Sequence, residues 1–163
     1  GFSILKSVEA YNPQLDTWAS VASMSEERFG HASVVLHGKI YVMGGYGSGV
    51  IPVDTVGVYD PQIDSWQQVA SMPRRLHGHA AAAMGGKIYV TGGYSQGITL
   101  NSVYVYDPQA DAWMQLASMS TARRGHASAA VAGKLYVFGG YGAGGKLGTA
   151  EVTTLPWTAG RKR

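Results

Sequence analysis

The chain of 163 residues is long enough for one domain with a real core and too short for two ordinary ones. Its 23 glycines, 14% charged residues and 10% aromatics suit short strands joined by tight turns, and they argue against disorder. With no cysteine, disulfides and thiolate metal sites are excluded; no apolar run approaches the roughly 20 residues of a membrane span, and the modest charge of +3 calls for no nucleic-acid partner.

In chain order, residues 5–23 predict two strands joined by the turn "NPQLD", which leads into Trp18. Residues 31–70 predict four more: "HASVVL" and "KIYVMGG" joined by a tight "HG" turn, then "TVGVYD" and "WQQVASM" around "PQIDSW". Pro61 sets its own φ in that last turn, and the Asp64 carboxylate is expected to accept from amides two residues on. Residues 79–117 repeat the four-strand pattern, and 126–140 supply its first two strands again. "AEVTTL" at 150–155 predicts a last strand, followed by a basic tail ending "RKR" that is expected to be solvated. No segment holds a 3.6-residue period, so almost no helix is expected.

The pattern is a repeat. Residues 56–102 and 103–149 are identical at 26 of 47 positions without a gap, and residues 8–55 match again with one extra residue. Trp18, Trp66 and Trp113 recur at spacings of 48 and 47, as do His31, His79 and His126. Each unit carries a glycine pair (Gly44-Gly45, Gly92-Gly93, Gly139-Gly140), and the first two pairs are followed by Tyr59 and Trp66, then by Tyr106 and Trp113.

A glycine pair, a tyrosine about 14 residues on and a tryptophan 7 further resembles the kelch repeat, over nearly the whole chain. The resemblance implies an all-β fold of propeller blades with four antiparallel strands each, about three per chain. Three blades do not close a ring of typical size. The expected solution is half of a six-bladed propeller closed by a second copy, the first two strands of the last unit completing a blade with residues 5–23 of the partner. Residues 5–11 and 150–155 then compete for one strand position. The other reading is half of a longer natural propeller. The start on "GF", without methionine, fits a cut or processed beginning; no signal peptide is visible, and the compartment stays open.

"GGYGAGGKLG", residues 139–148, has the look of a phosphate-binding loop. A phosphate loop needs a following helix and a Ser or Thr for magnesium, whereas Leu147 and a predicted strand follow here. No cofactor or metal is expected. The three repeated histidines are expected to bond locally in separate blades, and the carboxylates form no catalytic set.

The variable loops carry the functional expectation. In adaptor-type kelch propellers an arginine two residues before the glycine ahead of the first strand contacts acidic peptides; Arg28 and Arg123 match it, while Leu76 replaces it in the middle unit behind Arg74 and Arg75. The tyrosine after Gly-Gly is a second family contact, matched by Tyr46, Tyr94 and Tyr141. With His77, Arg124 and Lys146, these residues are expected to form an aromatic and cationic mouth on a non-enzymatic scaffold for a protein or an acidic ligand. The alternative is an enzyme-like kelch protein acting on an acidic sugar, resembling bacterial sialic-acid mutarotases. His77 with Glu26 or Glu27 is its only acid–base pair.

Overall fold

The computed structural model describes residues 3–154; the basic tail and the end of "AEVTTL" lie outside the described residues. In chain order the strands are β1 (Val8–Asn12), β2 (Thr17–Val21), β3 (Ala32–Leu36), β4 (Lys39–Met43), β5 (Val56–Asp60), β6 (Ser65–Val69), β7 (Ala80–Met84) and β8 (Lys87–Thr91). They continue as β9 (Tyr94–Ser95), β10 (Ile98–Thr99), β11 (Val103–Asp107), β12 (Ala112–Leu116), β13 (Ala127–Val131), β14 (Lys134–Phe138), β15 (Tyr141–Gly142), β16 (Gly145–Lys146) and β17 (Ala150–Thr154). The single helical turn among the described residues is a 3-10 turn at Ser48–Val50.

Two sheets hold four antiparallel strands, β3-β4-β5-β6 and β7-β8-β11-β12. The chain begins with a two-stranded sheet, β1-β2, and the last large sheet has three strands, β13-β14-β17. The first strands β3, β7 and β13 lie against one another in sequence, so the sheets pack as successive blades. Each first pair is closed by a two-residue loop in which both residues take positive φ: His37 and Gly38, Gly85 and Gly86, Ala132 and Gly133. That turn matches the right-handed twist of its strands.

The core lies between blades. Met43, Val56 and Val58 pack with Met72, Leu76, Ile88, Val90, Tyr104 and Tyr106 in one cluster that crosses from the first full blade to the second. The turn chemistry departs from expectation at one point. Asp60 and Asp107 accept from the amides two residues on, Gln62 and Gln109, and Asn12 does the same for Gln14. Asp64 does not: its Oδ1 accepts from Ala22 N of the preceding blade at 2.8 Å and from Tyr59 Oη. Trp66, the residue two on, lies in β6 opposite Tyr59, and the Asp64 carboxylate turns to the preceding blade.

That contact belongs to a junction made twice. Trp66 Nε1 donates to Ala22 O (2.7 Å) and Trp113 Nε1 to Ala70 O (2.9 Å), while Ala70 N donates to Asp111 Oδ1 as Ala22 N does to Asp64. Gly45 N donates to Leu76 O and Gly93 N to Arg123 O. A Cβ on Gly44 would lie 2.7 Å from both His79 Cε1 and Leu76 O, and one on Gly92 only 2.4 Å from Arg123 O. The glycine pairs are thus required by the approach of the next blade's backbone. Near the first strands, Gly78 N donates to Gly30 O and Gly125 N to Gly78 O, stitching three blades by main chain alone.

Candidate functional site

The loops leading into each first strand meet the loops that follow each glycine pair. Phe29 pairs in antiparallel fashion with Tyr46, His77 with Tyr94, and Arg124 with Tyr141. Phe29, His77 and Arg124 hold one repeat position, the residue before the stitching glycine, and the three tyrosines hold another. Contacts between blades join these pairs into a strip. Phe29 stacks on Tyr46 (ring centres 4.8 Å apart), and Tyr46 packs on His77 (4.2 Å), its hydroxyl 2.7 Å from His77 Nε2. His77 packs on Tyr94 at 5.2 Å, and the Arg124 guanidinium lies 4.4 Å over the Tyr94 ring. Burial and the nearby Arg124 charge lower the His77 pKa, which keeps its imidazole neutral beside the Tyr46 hydroxyl near pH 7. A cation over a tyrosine face and half-buried rings suit a ligand with anionic and apolar parts.

Tyr141 ends the strip, and Lys146 faces it across the β15-β16 hairpin. Residues 141–146 thus form a short ladder, and the lysine stands on a strand that is followed by another strand, β17. The matching loop of the middle unit forms the β9-β10 hairpin. Arg74 and Arg75 are exposed and line a cavity of about 550 Å³ with Asp54, Pro73, Ser95 and Gln96, beside Tyr94.

Arg28 and Arg123 stand elsewhere than expected. Both are buried. Arg28 Nη1 donates to the carbonyls of Gly44 and Thr55, and Nη2 donates to Thr55 Oγ1 and to Glu26. Arg123 donates to the carbonyls of Gly139 and Thr149 and to Glu151. A guanidinium carries enough donors to serve two loop carbonyls and a carboxylate at once, so here it ties the glycine-pair loop to the loop before the blade. Burial works to raise the Glu151 pKa, but bonds from Ser120, Arg123 and Thr121 outweigh it and hold the carboxyl down at about 2. Leu76 fills the equivalent space with apolar atoms in the middle blade, fully buried.

The residues of the acid–base pair expected for an acidic sugar each have other partners, His77 Nε2 lying beside the Tyr46 hydroxyl. Glu26 is engaged by Arg28 and Thr55, and Glu27 accepts from Ser48 Oγ. Among the described residues no group of three His, Asp or Glu side chains could hold a metal ion. The histidines do not bond locally as expected: His126 Nε2 lies 2.8 Å from Thr91 Oγ1 of the preceding blade, His79 is buried with neither ring nitrogen in a well-formed hydrogen bond, and His31 is exposed. Sequence reading passed over Phe29 and Glu151, and it named Glu26 only as an acid–base candidate and not as the partner of Arg28. The signal for Phe29 was positional, since the residue before the stitching glycine changes in every unit while the glycine and histidine after it repeat.

Residues 3–152 match the KLHDC2/KLHL20/DRC7 Kelch-repeats domain family. Shorter matches join the chain to Kelch-like protein 33 of Homo sapiens (44% identical over 43 residues, 26% of this chain and 8% of that protein). Kelch-like protein 24 of Rattus norvegicus is 49% identical over 41 residues, 25% of this chain and 7% of that protein. Beta-scruin of Limulus polyphemus is 49% identical over 43 residues, 26% of this chain and 5% of that protein. These aligned stretches are about one blade long. With its doubled glycines, its Tyr and Trp spacings and its stacked antiparallel sheets, the chain belongs to the Kelch-repeat family.

Proposed function

We propose that the chain is a non-enzymatic binding scaffold whose ligand face is the strip from Phe29 to Lys146, with the Arg74–Arg75 cavity at its side, and whose target is an acidic segment of another protein. The observation that carries this reading is the stacking of Tyr46, His77, Tyr94 and Arg124 across blade junctions, which presents rigid rings beside a cation. Such rings add contact area at low entropic cost, and Arg124, Arg75 and Arg74 supply guanidinium partners for carboxylates. Arg28 and Arg123 contribute by holding the tyrosine-bearing loops in place. Two copies closing a six-bladed ring would bring two such strips around one mouth.

The test is calorimetric titration of the 163-residue chain with acidic peptides containing an aromatic residue, with sialic acid as a second arm. Arg124→Ala and Tyr94→Ala are expected to weaken peptide binding about tenfold each. Equal affinity for both variants and the parent overturns the site. Selective binding of sialic acid, with turnover lost in His77→Ala, overturns the non-enzymatic reading.

A further inference from the structure

The arc ends in two surfaces, and each is half of the junction already made twice inside it. At the amino-terminal end, Trp18 is exposed with its ring on Tyr11, whereas Trp66 and Trp113 each reach back to an alanine carbonyl. Tyr11 is 45% exposed, against 6% for Tyr59 and 1% for Tyr106. The Asp16 carboxylate takes the Tyr11 hydroxyl, as Asp64 takes that of Tyr59, but no alanine amide reaches it. At the other end, Phe138 is 45% exposed where its equivalents Met43 and Thr91 are wholly buried. A Cβ on Gly139 would meet nothing nearer than Leu147 O of its own loop at 3.4 Å, since no histidine lies beneath it.

The missing halves match residue for residue. Ala117 stands where Ala22 and Ala70 do, with no Trp or Asp against it among the described residues. At the 47-residue spacing the positions equivalent to Asp111 and Trp113 are Thr158 and Gly160, which carry neither side chain. The pair Asp16 and Trp18 has the right spacing and is open. His31 is exposed where His79 and His126 are packed under Gly44 and Gly92. Two cavities mark the seats: about 250 Å³ beside Ala117, Glu151 and Val152, and about 360 Å³ beside Val8, Glu9, His31 and Val42.

One obstacle stands in the way. The place beside β14 where an incoming β1 would pair is held by β17. Aligning β1 on β17 puts Glu9 on Glu151, the residue that serves Arg123, Ser120 and Thr121. Glu9 is exposed with no ion pair among the described residues. It can therefore replace the one buried ionic contact that displacement of β17 would break.

We propose that a second copy of this chain closes the arc, its β1-β2 hairpin displacing β17 beside β14. Asp16 and Trp18 then clamp Ala117, Glu9 takes over Arg123, and His31 seats under Gly139. The inference rests on the six-bladed ring of the proposed scaffold and states how that ring is made. Each chain keeps its two complete blades. The two composite blades, each β13-β14 of one copy with β1-β2 of the other, bring the total to six, and one two-fold axis repeats the same closure at both seams.

Cysteine pairs read the strand directly, because the chain has none of its own. The aligned register sets Ala10 opposite Tyr136, the place Val152 holds now. Under mild oxidation, Ala10→Cys with Tyr136→Cys is expected to give a covalent dimer, while Val152→Cys with Tyr136→Cys is expected to give little internal disulfide. The reverse pattern overturns the displacement. Light scattering of the parent separates the levels: a dimer with the reverse pattern leaves the ring reading standing and removes the exchange, and a monomer at every concentration removes both. Trp18→Ala is expected to weaken dimerisation at least about tenfold with circular dichroism unchanged, and Gly139→Ala, which has room within its own arc, is expected to do the same. A dimer indifferent to both variants overturns the seam.

Discussion

The junction between the two complete blades and the carboxy-terminal face of β13-β14 use the same repeat positions, yet one is sealed and the other is bare. Ala32 and Met43 are buried at the sealed junction, whereas their equivalents Ala127 and Phe138 at the bare face are exposed. Burying a large side chain stabilises by about 1.5–3 kcal/mol, so most of the difference between the regions is neighbour contact and little of it is intrinsic to the strands. A blade here is a repeating shape whose stability comes from the next one.

The contrast breaks most sharply at the glycine pairs. Gly92→Ala drives a Cβ against the backbone of Arg123 and is expected to cost about 4 kcal/mol, while Gly139→Ala is expected to cost only the left-handed strain of about 1 kcal/mol in the dissociated chain. Urea denaturation of both variants at low protein concentration checks the difference; equal losses would mean that the junction does not set the glycine requirement.

The two arginine ties give the next effect. Arg123→Ala leaves Glu151 and two carbonyls without their donor and is expected to cost about 3 kcal/mol. Leu76 shows that an apolar residue can fill this place when no carboxylate faces it, so Arg123→Leu combined with Glu151→Ala is expected to recover much of the loss. Thermal unfolding of the single and double variants measures it.

Acid sharpens the comparison further. Burial pushes the His79 pKa down to about 3, and burial with the Arg123 charge pushes His126 down to about 4. Both are depressed, so their stabilisation is complete above the unfolded value near 6.5 and is lost as pH falls from there toward the folded values. Between pH 7 and pH 5 the loss is expected to be about 1–2 kcal/mol for each. Glu151 adds a second decline below about pH 4.5 that continues toward 2. Denaturant midpoints across this range, with His126→Gln expected to flatten the upper step, provide the measurement.

The smallest effect lies outside the junctions. Ala132 is held at φ 50° in its two-residue turn, and Ala132→Gly is expected to stabilise by about 0.5 kcal/mol in calorimetry.

Repeats made the fold legible, because glycines, tyrosines and tryptophans at fixed spacing report what happens inside one unit. They said less about what binds one unit to the next. Asp64, read as a local turn residue, reaches Ala22 across 42 residues, a contact that no spacing within a unit reveals. A trace of it was present: "ASM" recurs at Ala22, Ala70 and Ala117 outside the glycine, tyrosine and tryptophan pattern. The candidate site was half legible. Tyr46, Tyr94 and His77 stand together as their positions implied, but a motif arginine can point out to a ligand or in to a carbonyl, and only the buried acceptors at Gly44 and Gly139 decide between them.

The stitch from Gly30 to Gly78 to Gly125 uses only amides and carbonyls. The stitch itself therefore does not depend on the side chain that precedes each glycine, and the chain already carries phenylalanine, histidine and arginine there. Evolution, or an engineer, can rewrite three adjacent letters of the recognition surface one at a time, while the seam that holds the blades together goes on unread.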